Sequence, residues 1–121
     1  MAAALLLTAG SPVYAQSKAD TLFQQGKDHM AAGRYADACR AFEDSFELDP
    51  AIGTQLNIAL CYETWGKFAT AYRAYLEAER LAAVKGDKRA AGARQRINAI
   101  EPKVPKLLVS IPAGSKPPAD L

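Results

Sequence analysis

Thiol and imidazole chemistry in this chain rests on three residues, Cys39, Cys61 and His29. A cysteine–histidine metal site needs three or four such ligands at short spacing, and this inventory cannot supply them. Nucleophilic catalysis needs a Ser, Cys or Thr beside a base, usually at a recognisable turn; no Gly-x-Ser-x-Gly elbow and no glycine-rich phosphate loop occurs. The carboxylates Glu43, Asp44 and Glu47 cluster, but their spacing puts them on a solvated helix face. The chain is therefore expected to be non-enzymatic, with no catalytic residue, no metal and no cofactor.

The elements that carry these residues emerge when the sequence is laid on itself at an offset of 33. His29 falls on Tyr62, Gly33 on Gly66, Tyr35 on Phe68, Ala38 on Ala71, Phe42 on Tyr75, Ser45 on Ala78 and Leu48 on Leu81. Each unit reads as a pair of helices. Its glycine sits at the corner, where the backbone needs a conformation that costs other residues more. Ala38 and Ala71 are small enough to let paired helices approach, and Phe42 and Tyr75, one turn on, fill the space that remains. Along the second helix, Tyr35, Ala38, Phe42, Ser45 and Phe46 form an apolar stripe of period 3.6.

The pattern predicts helices at about 17–32, 35–48, 52–65, 68–84 and 87–100, an all-α chain of antiparallel helical hairpins. The fifth has an apolar stripe of Ala90, Ala93, Ile97 and Ile100 and no partner after it, as expected of a cap over an exposed core face. Five of the seven prolines lie in the last twenty residues, so helix is expected to stop near Glu101. Beyond it, 102–121 reads as a Pro-rich linker with a short strand at Lys106–Ile111.

These residues resemble the tetratricopeptide repeat. The first unit, about 19–51, supplies Leu22, Gln25-Gly26, His29, Ala38-x-x-x-Phe42 and Asp49-Pro50. The second, about 52–84, supplies Gln55, Ile58-Ala59, Tyr62 and Ala71-x-x-x-Tyr75 and lacks the closing proline. Gln25 and Gln55 stand at positions that are apolar in the family, and His29 stands where a tyrosine packs between paired helices. The resemblance implies a right-handed superhelical solenoid of two units plus a cap across 17–101. The order of features over Ala19–Pro112 is similar to that of exported bacterial repeat proteins, seen especially in myxobacteria. In that group a β module of the PEGA type follows the repeats; the strand near 106–111 would be its first, and the module would be truncated here.

A leader fits that reading. Residues 1–15 are uncharged and end in Val13-Tyr14-Ala15, which suits a signal peptidase, although the basic start of a signal peptide is missing and the leader would be truncated. The expected location is exported, in the periplasm or cell envelope; a cytoplasmic protein with an apolar N-terminus is the alternative. In an exported chain Cys39 and Cys61, on neighbouring helices, favour a disulfide. Their other reading is as reduced, buried, small apolar residues.

The resemblance implies that a protein or peptide partner binds in the concave groove lined by the first helix of each pair. Counting those positions selects Phe23, Lys27 and Met30, then Leu56, Asn57, Leu60 and Glu63, then Arg89 and Arg94. Asn57 matches the asparagine of the family's carboxylate clamp, but Phe23 and Lys27 depart from its other positions, so a true clamp is not expected. Charge is asymmetric: 16–63 holds four basic and eight acidic residues, 64–121 eleven and five. The basic last helix gives an alternative function, an envelope-anchoring or assembly protein touching anionic lipid or cell-wall polymer. No aromatic residues interleave those charges, so nucleic acid is not expected. Oligomeric state is open.

Overall fold

A computed structural model describes residues 11–105, with side chains from residue 13 onward. Among the described residues there are five α-helices, α1 (Ser11–Ala31), α2 (Tyr35–Leu48), α3 (Ile52–Thr64), α4 (Phe68–Val84) and α5 (Arg89–Ile100), then a 3-10 turn at Glu101–Lys103, and no strand. Each helix packs on its predecessor, giving the hairpins α1/α2 and α3/α4 with α5 laid against α4. The expected strand at 106–111 lies outside the described residues, as do residues 1–10 of the expected leader. Residues 11–15 of that leader belong to α1, which begins six residues earlier than the pattern predicts. Pro12 explains the early start, because proline's fixed φ suits the first turn, where its missing N–H is not needed. Pro102 likewise sits inside the 3-10 turn rather than beyond all helix.

The corners follow from backbone chemistry. Gly33 and Gly66 have φ of 77° and 85°, in the left-handed region. At each, the glycine N–H and the next N–H fold back onto the ending helix: Gly33 to Met30 O and Arg34 to His29 O, Gly66 to Glu63 O and Lys67 to Tyr62 O. That pattern satisfies carbonyls the helix end would leave bare. The connection between units is different. Pro50 forces Asp49 into extended backbone, and the Ala51 N–H returns to Asp49 O, so α2 stops and α3 starts after three intervening residues.

Packing inside the pairs is set by what is missing. Gly26 lies under the Phe42 ring so closely that a Cβ there would sit 2.6 Å from Cε1 of the ring. Phe42, Ala38, Ala59, Ala71 and Tyr75 are all essentially buried and join one core with Ile58, Ile97 and Ile100. The last two, with Ala93, are the buried residues of α5, which packs against α4. Two polar residues at core positions are satisfied by main-chain carbonyls: Ser45 Oγ donates to Ala19 O at 2.8 Å, and Gln55 Nε2 to Ala74 O at 3.1 Å. Cys39 on α2 and Cys61 on α3 are bonded, with Cα atoms 5.7 Å apart, and join the first hairpin to the second.

Candidate interaction groove

The first helices of the hairpins position the predicted groove residues through simple periodicity. On α1, Phe23, Lys27 and Met30 fall at i, i+4 and i+7 and so share a face. Phe23 turns its ring to Phe42, with centroids 5.4 Å apart and planes tilted by 59°, and the Lys27 ammonium lies 5.7 Å from the Phe23 ring centre. Phe23 and Met30 thus serve the core on one side and solvent on the other. On α3, Leu56 is half-buried against the core, whereas Leu60 keeps 44% of its surface exposed. Asn57 donates its amide to Gly53 O, one turn back, at 2.9 Å, which leaves its side-chain carbonyl free to accept.

A cleft of about 300 Å³ joins these helices at one edge. It brings Phe23 of α1 together with Arg89 of α5 across the start of α3. Gly53 lies beside Arg89: a Cβ added there would be in ordinary contact with Arg89 Nη1, at 3.4 Å. Arg89 is oriented by Asp87, whose carboxylate accepts from Arg89 Nε at 3.0 Å, from Nη2 at 2.8 Å and from the Arg89 backbone N–H. Those charge-assisted bonds hold the Asp87 carboxyl down at about 2. Nη1 remains to point into the cleft.

Asp20 and Asp49 complete the cleft lining and were not among the predicted residues. Asp20 was within reach of the sequence, lying three residues before Phe23 on the same helical face. Asp49 arrives through the Asp-Pro connection.

Of the nine predicted residues only Phe23 and Arg89 line this cleft; Lys27, Met30, Leu56, Asn57 and Leu60 lie outside it, and Arg94 and Glu63 are engaged elsewhere. Arg94 makes a two-pronged contact with Glu79 of α4, Nε to Oε2 at 2.9 Å and Nη2 to Oε1 at 2.6 Å. Glu63 accepts from the Tyr75 hydroxyl at 2.8 Å and is bound by Arg96, so it clasps α3, α4 and α5 together. Burial, reinforced by that bond to a carboxylate, pushes the Tyr75 phenol up to about 12. His29 is half-buried, its Nδ1 accepting from Arg34 Nε at 3.1 Å. Among the described residues no group of three or more His, Cys, Asp or Glu is placed to hold a metal, and no helix is long and apolar enough to cross a membrane.

Comparison with known families identifies a tetratricopeptide repeat at residues 19–52. The match covers α1 from Ala19, all of α2 and the connection to the first residue of α3. No curated protein and no solved structure matches the chain. Repeats of this kind typically serve as non-catalytic interaction modules, so the chain carries the scaffold of a protein–protein interaction domain.

Proposed function

We propose that this chain is an adaptor of the cell envelope that binds an extended peptide or protein segment in the groove of α1, α3 and α5. The observation that carries the reading is the cleft that Phe23, Gly53 and Arg89 line together. An apolar side chain of the ligand would rest on Phe23. Arg89 Nη1 would donate to a backbone carbonyl or terminal carboxylate, and the Asn57 carbonyl would accept a backbone N–H. Lys27 and Leu60, both exposed, extend the contact along the groove.

Export is supported by the uncharged leader-like start and by the Cys39–Cys61 bond, a linkage that persists in oxidising compartments. In the same reading, a β module would follow α5. The anionic-surface alternative draws less support. Arg89, Arg94 and Arg96 are each bound to a carboxylate, Asp87, Glu79 and Glu63 respectively, which neutralises much of the charge that reading needs.

The test is selection from a displayed random-peptide library, followed by fluorescence anisotropy on a selected peptide. Lys27→Glu with Leu60→Asp, both solvent-facing, should weaken binding at least tenfold. Failure to select any saturating peptide, or an affinity untouched by the double substitution, would overturn the assignment.

A further inference from the structure

A second cleft, of about 570 Å³, lies between the second helices of the two hairpins and shares no lining residue with the groove. Two of the four α4 residues that line it, Thr70 and Ala74, are small, which leaves the gap open. The floor is made by Phe46, Ile58 and Ala74, with the buried Gln55 beside them holding its amide to Ala74 O. The α2 wall carries Glu43, Asp44 and Glu47, and the α4 wall carries Glu77 with Arg73 as the one cation of the lining. Glu77 is already paired with Arg80 on its own helix. Asp44 and Glu47 have no ion pair among the described residues.

Tyr62, also in the lining, favours the same ligand chemistry. Tyr62 closes one end of the cleft, and its hydroxyl donates to Glu43 at 2.8 Å, fixing that carboxylate in place. The Tyr62 ring stacks on Trp65, which lies outside the cleft lining, with centroids 6.0 Å apart. Carboxylates and electron-rich ring faces both favour a positive group. The apolar residues of the floor between them favour an aliphatic one.

We propose that the α2–α4 cleft docks a basic segment of a partner protein, with an apolar side chain on Phe46, Ile58 and Ala74 and flanking lysine or arginine side chains among Glu43, Asp44 and Glu47. Glu43 and Glu47 lie one turn apart, about 6 Å along α2. Alternate side chains of an extended strand repeat at about 6.6 Å, so two basic residues separated by one other match that wall. The segment would bind independently of a groove ligand, which lets one chain hold two partners.

The experiment measures anisotropy of labelled hexapeptides on the full chain: alternating Lys-Leu, all-Lys, and alternating Glu-Leu. The Lys-Leu peptide should saturate at least tenfold more tightly than the all-Lys peptide, and the Glu-Leu peptide should not bind. Asp44→Lys with Glu47→Lys should weaken the Lys-Leu peptide at least tenfold, and Asp44→Asn with Glu47→Gln should do so to a lesser degree. Both positions are exposed, and circular dichroism checks that the helices persist. Lys27→Glu with Leu60→Asp should leave this binding unchanged even if it abolishes groove binding. Equal affinity for the all-Lys peptide, indifference to the α2 substitutions, or no Lys-Leu binding at all would overturn the proposal.

Discussion

Reducing the Cys39–Cys61 bond should remove several kcal/mol of stability from this small domain. The bond closes a loop with a sequence separation of 22. By the chain-entropy relation such a loop removes about 11 cal/mol/K from the unfolded ensemble, or about 3.4 kcal/mol at 25 °C. For a domain of this size each kcal/mol moves the melting temperature by about 4–8 °C, so reduction should lower it by about 14–27 °C. Both sulfurs are buried, so the reduced sample is prepared in denaturant and refolded with reductant before melting by circular dichroism. A Cys39→Ala/Cys61→Ala variant should melt identically with and without reductant. In urea, the reduced chain should also show the steeper dependence, because its unfolded state is no longer cross-linked and exposes more surface. Reduced and oxidised chains melting within about 5 °C of each other would refute the reasoning. Packing of the thiols, rather than the cross-link, would then account for their burial.

Two further expectations turn on single side chains. Gly26→Ala should destabilise the fold by about 1–3 kcal/mol in urea titrations even though alanine is the better helix former by about 1 kcal/mol, because the new Cβ would collide with the buried Phe42 ring; a gain in stability would show that the ring moves freely. The Tyr75 phenol, raised in the folded state to about 12 against about 10 when unfolded, binds its proton more tightly in the native protein. Its stabilisation is complete below pH 10 and is lost as pH rises through 12, so Tyr75→Phe should flatten the fall of melting temperature over that window, with Tyr62, raised likewise to about 12, maintaining the rest.

What the sequence made legible was whatever local geometry controls. Gly33 and Gly66 announce corners because only a left-handed residue serves there, and the Ala38/Phe42 and Ala71/Tyr75 spacings announce which faces meet. Polar residues in the pattern were less readable. Gln25 and Gln55 depart from the repeat in the same way, yet Gln25 is exposed and Gln55 is buried, because the Ala74 carbonyl, 19 residues away, is there to accept its amide. The groove residues divide on the same ground. Helical counting assigns Arg94 and Glu63 a face, but Glu79 and Arg96 capture them from 15 and 33 residues away, and periodicity within one helix carries no record of such partners. The early start of α1 was hidden by composition: an uncharged run ending in Val-Tyr-Ala reads as a leader before it reads as helix.

The link between α2 and α3 also has a mechanical consequence. Pulled from its two ends, a repeat array normally yields its full contour length as the units open. Here the 22-residue span between Cys39 and Cys61 is bypassed by the bond, so about 75 Å of extended chain stays out of reach of the applied force. Most of α2, the connection and most of α3 are inside that shielded span. Tension transmitted along the chain would reach α5 and the start of α1 first, and the junction between the two units would carry its load through sulfur rather than through packed side chains.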